Sequence, residues 1–260
     1  VSLTAQPDDF NHITMERAAA IFSDRFTSAK GFTFILVGSI NLDKIKPLIA
    51  TYLASLSTTE ILTTYRNLKI LPVPGIVKRE VHSGSEEKSR LAIVFTGPAS
   101  YSDEENIRFN ALIEVMNLRV IDVLREKLGL IYSGGMSGAI EQTPYQNYRL
   151  TTILPCSPEK VDKVIAAAFS EIEKIKKEGP TAEELNKVKI NWRKNNNIAL
   201  NTNEHWLKSL QSAMLYNTNP SNILSVERRI AHLTSDDVKD AAARYLNTGN
   251  YVQVVLYPEK

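Results

Sequence analysis

A short segment near the start of the chain returns near its end. His12-Ile13-Thr14 reappears as His232-Leu233-Thr234 roughly 220 residues later, a period far longer than a solenoid unit and the right size for duplicated domains. Behind each copy an amphipathic helix of matching length leads to an aromatic residue that opens an apolar strand. The first strand reads Phe32-Thr33-Phe34-Ile35-Leu36-Val37 and the second Tyr251-Val252-Gln253-Val254-Val255-Leu256, with Gly31 as the extra residue in the alignment. Whatever helix and sheet the second copy builds, the first is expected to build too. The chain is thus expected to open inside one domain: residues 1–57 as the C-terminal part of a preceding homologous α+β domain, 58–76 as a linker, and 77–260 as a complete second domain.

Local patterning supports that division. Thr14 reads as a helix N-cap, with Ala18, Ile21, Phe22, Arg25 and Phe26 following at helical spacing. Gly38 punctuates, and Asn41-Leu42-Asp43 opens a second helix with Ile45, Leu48, Ile49, Tyr52 and Leu53 on one side. The stretch around Leu71-Pro72-Val73-Pro74-Gly75 loses backbone donors and favours extended chain, as a linker does. Two strands are then expected at 78–82 and 90–96, as antiparallel neighbours about a polar turn. Ser102 and Glu105 form a capping box for a long helix carrying Phe109, Leu112, Ile113, Met116, Val120, Val123 and Leu124 until Gly129 stops it. Two further strands are expected at 131–140 and 148–154, with Gly134 and Gly135 marking a bulge or a close backbone approach. After Cys156 the chain turns helical: one helix ends at Gly179-Pro180, a second capping box runs from Thr181 to Glu184, and a third helix starts near Asn203-Glu204. Thr234 with Asp237 caps the helix before the last strand. This order predicts an α+β fold, a mostly antiparallel sheet with helices packed on one face and the first copy of the duplicated domain truncated.

Composition removes several function classes. With 43% apolar and 23% charged residues and no apolar run long enough to cross a bilayer, membrane insertion is not expected. The net charge of +2, with Lys174, Lys176 and Lys177 interleaved with acids on a helix, argues against a nucleic-acid partner. Cys156 is the single cysteine, which leaves neither an internal disulfide nor a thiolate metal cage. His12, His82, His205 and His232 offer no ligand pair one helical turn apart, so neither His-Glu-x-x-His nor its inversion is present and no metal ligand is expected here. His12 and His232 stand just before helix N-caps, where a packed or capping role is expected.

The run Leu124-Arg125-Glu126-Lys127-Leu128-Gly129-Leu130-Ile131-Tyr132-Ser133 rises above this background. It sets Arg125 in the last helical turn and Tyr132 just past the glycine stop, so that a guanidinium and a phenol can project from one edge. Both are hydrogen-bond donors, the groups that stabilise a developing oxyanion in peptide hydrolysis. A plainer reading is that Arg125 complements the helix C-terminus and Tyr132 packs in the sheet.

Leu-Arg-Glu-Lys-x-Gly-x-x-Tyr-Ser after a long helix resembles the non-catalytic half of the pitrilysin/insulinase family of zinc metallopeptidases, the inverzincins. Residues 32–56, with Val37-Gly38, Ile40-Asn41-Leu42 and Tyr52-Leu53-Ala54-Ser55-Leu56, resemble the family as well, and so does the tail from Ser157 through Pro180-Thr181-Ala182-Glu183-Glu184-Leu185. The resemblance implies homologous domains in two halves. An N-terminal half outside this chain would hold zinc, and the C-terminal half would enclose an unfolded peptide and supply an Arg and a Tyr to the scissile carbonyl. Those two residues map to Arg125 and Tyr132, and this chain alone is expected to be inactive. It also implies a periplasmic, secreted or organellar setting. The alternative within the same family is a catalytically inactive structural or peptide-binding homologue.

Overall fold

The computed structural model of the chain describes residues 5–60, 68 and 70–259. In chain order the elements are helices α1 (Met15–Phe26) and α2 (Leu42–Tyr52), strands β1 (Ile76–His82) and β2 (Ser89–Pro98), helix α3 (Asp103–Arg119), strands β3 (Gly135–Glu141) and β4 (Asn147–Cys156), helices α4 (Val161–Glu178), α5 (Ala182–Ala199), α6 (Asn203–Leu215), α7 (Val226–His232) and α8 (Ser235–Tyr245), and strand β5 (Tyr251–Tyr257). They fall into two compact units, one comprising the chain up to Ile70 together with Leu200–Pro220, the other Leu71–Ala199 with Ser221–Lys260. Part of the linker expected over 58–76 lies outside the described residues; the described positions before Ile76 carry neither helix nor strand.

In the first unit the caps form as their residues dictate. The Thr14 hydroxyl accepts from the Arg17 amide at 3.2 Å, and the Asn41 side-chain oxygen accepts from the Lys44 amide at 3.0 Å. The strand expected at 32–37 does not form: those residues run as irregular chain. A strand is defined by its ladder, and none of the described residues supplies one here. Among residues 5–60 only Ser28 is buried. Phe22 stacks on Phe26 at 4.8 Å, Phe26 meets Phe32 edge-on at 5.9 Å, and all three rings remain exposed.

The second unit is a five-stranded sheet in the order β1-β5-β2-β4-β3. The β2·β4, β2·β5 and β3·β4 pairings are antiparallel and β1·β5 is parallel. The expectation that the first two strands are neighbours is therefore corrected: β5 lies between them. The reason is visible in their connection, which spans β5 instead of making a hairpin. The Ser83 amide donates to the Tyr257 carbonyl at 3.0 Å and the Glu259 amide to the Gly84 carbonyl at 2.8 Å, so the loop is stitched to the end of β5.

Alternation gives the sheet its buried face. Leu91, Ile93 and Phe95 of β2, Tyr148, Leu150 and Leu154 of β4, and Tyr251 and Val255 of β5 point into a core closed by Phe109, Leu112 and Met116 of α3, Val164, Ile172 and Ile175 of α4, and Val238, Ala242 and Tyr245 of α8. Phe109, Tyr148 and Tyr245 meet edge-on, with centroids 4.8 to 6.3 Å apart. Burial pushes the Tyr148 phenol up to about 12. Thr234 and Asp237 complete the expected capping box at α8. His12 and His232 themselves are exposed, so the hydroxyls of Thr14 and Thr234 do the capping beside them.

Candidate functional site

The long helix expected to reach Gly129 changes character before it ends. After α3 the chain continues as a π-helical segment, Val120–Lys127, a form that recurs at functional sites because its wider turn re-aims side chains. Val120 and Leu124 are buried beneath it. The Leu128 amide reaches back to the Val123 carbonyl at 3.0 Å. Gly129, at φ +58°, then turns the chain: its amide donates to the Arg125 carbonyl at 3.1 Å and the Leu130 amide to the Leu124 carbonyl at 2.9 Å. Lys160 Nζ braces the turn from outside, 2.9 Å from the Gly129 carbonyl.

Arg125 projects from this segment with about half of its side chain in solvent (52%), and its nearest charge is the Glu126 carboxylate, 3.5 Å from Nε. An ion pair so exposed is weak and leaves the guanidinium available. Tyr132 stands just beyond the turn and is 78% exposed, whereas its neighbour Ile131 is buried. The plainer expectation that Tyr132 packs in the sheet is therefore overturned. Strand β3 begins three residues later than Tyr132, at Gly135, and not at 131 as expected.

Backbone crowding fixes the entry into β3. A Cβ on Gly134, which sits at φ +137°, would lie 2.6 Å from the Ile153 carbonyl oxygen; one on Gly135 would lie 2.8 Å from Asn117 Oδ1. The two glycines are thus the close approach that the sequence announced. Arg125 and Tyr132 share one braced helix-to-strand turn, and no hydrogen bond joins them among the described residues. Chemically the pair offers two donors, one permanently charged, to an oxygen brought in from outside.

Sequence reasoning missed Arg119. It is 4% exposed, donates from Nε to Glu184 Oε1 at 2.8 Å and from Nη2 to Glu184 Oε2 at 3.1 Å and the Gly179 carbonyl at 3.0 Å, and has Glu171 3.8 Å from Nη1. It ties α3 to the α4–α5 corner directly under the π-helical segment. Asn117 was missed too: its side-chain oxygen accepts from the Met136 amide at 2.6 Å and its side-chain nitrogen donates to the Met136 carbonyl at 3.0 Å. A polar residue on an amphipathic helix carries no local mark of such a partner.

His82 stacks on Tyr257 at 5.4 Å, and among the described residues no three His, Cys, Asp or Glu side chains are grouped to hold a metal ion. Among the described residues the donors do not fit a zinc centre.

A family profile described as the peptidase M16 inactive domain matches residues 12–191. The chain belongs to the peptidase M16 inactive-domain family. It is 25% identical over 206 residues to the "Zinc protease PQQL-like" of Arabidopsis thaliana, a match that covers 74% of this chain and 21% of the relative. To the "Probable zinc protease PqqL" of Haemophilus influenzae it is 28% identical over 103 residues, 39% of this chain and 11% of the relative. The chain thus spans about a fifth or less of these relatives' lengths. Among solved structures, the periplasmic protease PqqL of Escherichia coli superposes with a TM-score of 0.84 at 19% identity, over 99% of this chain and 28% of that one. A peptidase M16 inactive domain from Pseudomonas fluorescens superposes with a TM-score of 0.73 at 20% identity, over 98% and 60%. These likenesses establish the M16 fold for the α+β architecture described above.

Proposed function

We propose that this M16 inactive domain is the C-terminal, metal-free region of a zinc metalloendopeptidase, and that it closes over an unfolded peptide opposite an N-terminal half that holds the zinc. The observation that supports this reading is the turn at Gly129, which presents Arg125, held only by the exposed Glu126 carboxylate among the described residues, and Tyr132 to solvent. In this reading both side chains donate to the scissile carbonyl oxygen. The Arg125 guanidinium stabilises negative charge as it builds on that oxygen, and the Tyr132 hydroxyl fixes its position. Neither residue takes up or releases a proton to do so, so the pair orients and stabilises while bond making occurs on groups outside this chain.

The domain assignment belongs to the same proposal: 1–57 as the C-terminal part of a preceding homologous α+β domain, 58–76 as linker, and 77–260 as the complete metal-free domain. Its support is a position-by-position contrast between the repeats. Val238, Ala241, Ala242, Tyr251 and Val255 are buried, whereas Ile21, Phe22, Phe32 and Leu36, at repeat positions matching Ala241, Ala242, Tyr251 and Val255, are 45 to 64% exposed. An apolar face that its duplicate buries is a face with a partner.

Steady-state kinetics of the complete zinc-loaded protease test the role of the pair. Arg125→Ala is expected to lower kcat about a hundredfold with little change in KM. A rise in KM alone would favour the alternative, a region that binds peptide or partner without assisting the chemistry.

A further inference from the structure

We propose that Asn117 is a positioning residue for Tyr132: by gripping Met136 it fixes where the phenol stands relative to the π-helical segment that carries Arg125. This rests on the function proposed above for the role of Tyr132, whereas the grip itself is a feature of the fold.

Between the end of α3 and the start of β3 the chain makes an excursion that carries both donors, and its two ends meet at one side chain. The Asn117 carboxamide accepts from the Met136 amide through Oδ1 at 2.6 Å and donates through Nδ2 to the Met136 carbonyl at 3.0 Å. A carboxamide presents an acceptor and a donor in one plane, the match for the N–H and C=O of a single strand residue; a carboxylate lacks the donor and an alkyl chain lacks both. The helix end of the excursion is equally fixed. Phe109, Leu112 and Met116 of α3 are buried, the Arg119 guanidinium is tied to Glu184, and the Val120 amide donates to the Met116 and Asn117 carbonyls where the π-helical segment begins.

Tyr132 needs such a clamp because its side chain is not held. The ring is 78% exposed and makes no hydrogen bond or ring contact among the described residues, so its place is set by its backbone. That backbone is anchored behind by Ile131, which is buried, and ahead by Met136, whose side chain is buried and whose main chain is in the grip of Asn117. Between Tyr132 and Met136 lie only Ser133, Gly134 and Gly135. Glycine has the widest choice of backbone angles, so this short span would wander if its far end were released. The glycines cannot be exchanged for stiffer residues, because Gly134 faces the Ile153 carbonyl oxygen and a Cβ on Gly135 would lie 2.8 Å from Asn117 Oδ1 itself. β4 flanks β3 on one side, in the register Gly135↔Ile153 and Met136↔Thr152, and Asn117 takes the other side where the strand begins. For a donor aimed at a reacting oxygen, a shift of about 1 Å can cost about a hundredfold in rate.

The test is a double-mutant cycle on the complete zinc-loaded protease, read as the single-turnover rate of peptide cleavage at saturating substrate together with KM. Asn117→Ala is expected to slow cleavage at least about tenfold with KM little changed, and to slow it by less than about twofold in the Tyr132→Phe background. Gly135→Ala reaches the same contact from the other side, since its methyl displaces the carboxamide. It is expected to slow cleavage similarly and to add nothing to Asn117→Ala, where the space has been vacated. Urea unfolding shows which variants are folded, and Gly135→Ala, with its own Tyr132→Phe partner, carries the cycle if Asn117→Ala is not. A full effect in the Tyr132→Phe background overturns the proposal, because a loss felt without the phenol does not pass through it. So does a rise in KM alone. An unchanged rate in Asn117→Ala with Tyr132→Phe still slow overturns the positioning role and leaves the proposed function standing; an unchanged rate in Tyr132→Phe overturns that function and this inference with it.

Discussion

Arg119 carries a permanent charge into the core of the second unit, and Glu184 is the acceptor that makes this tolerable. Removing one member of a buried pair strands the other, so Arg119→Met is expected to cost about 3 kcal/mol in urea unfolding, far more than a loss of packing at that site would explain. Burial alone would raise the Glu184 carboxyl, but the hydrogen bond from Arg119, those from Thr181 and the guanidinium charge outweigh it and hold the pKa below the ordinary 4.5. A carboxyl depressed in the folded state contributes stability that is complete above about pH 4.5 and is lost as the pH falls through the lowered value. Glu184→Gln is therefore expected to flatten the dependence of stability on pH in that acid window, and an unchanged dependence would remove the pair from the account. Gly134→Ala is expected to destabilise by about 2 kcal/mol, because the added methyl meets the Ile153 carbonyl and φ +137° strains any side chain. At this scale the sequence revealed roles that are local. Thr181 with Glu184, Thr234 with Asp237 and Gly129 announce themselves within four residues of their partners. The second role of Glu184, binding an arginine from another helix, has no local mark, and neither does the grip of Asn117 on Met136.

Elements were legible where one surface decides them. The period of α3 placed Phe109, Leu112 and Met116 in the core, and alternation did the same for β2 and β4. The π-helical end of α3 was not legible, because an apolar stripe at helical spacing looks the same whether the last turns are α or π. The placing of β5 between β1 and β2 was hidden for a different reason: pairing is chosen by long-range contacts, and the polar 83–88 connection reads equally as a hairpin or as a crossover. The capping pair offers a comparison at this scale. Thr234→Ala removes the hydroxyl half of the capping box on a buried helix, leaving the backbone amide of residue 234 on the Asp237 carboxylate, and is expected to cost about 1 kcal/mol of the unit's cooperative unfolding. Thr14→Ala removes the equivalent cap from a helix with no buried residue; it is expected to fray α1 with little change in that transition. Equal effects of the two substitutions on the main transition would mean that α1 folds with the core.

At the scale of the whole molecule the proposed domain assignment rests on the repeat. Phe32, Phe34 and Leu36 match Tyr251, Gln253 and Val255 of β5, a strand flanked on both sides, yet run without a ladder. Amides 32–37 are expected to exchange freely in this chain alone and to be protected in the complete protease; protection in the isolated chain would contradict the domain assignment. In the proposed function the M16 inactive domain is one wall of a larger enclosure, with its own sheet, a donor pair at one turn and, among the described residues, no cluster of side chains to hold a metal. The claim on which this account turns is that the donor pair acts in the chemical step. The direct measurement is the single-turnover rate of peptide cleavage at saturating substrate by the complete zinc-loaded protease, Tyr132→Phe against the parent. The substitution removes one hydroxyl from an exposed ring and is expected to slow cleavage about a hundredfold. An unchanged single-turnover rate would contradict the account and leave this region as a peptide-binding or structural wall.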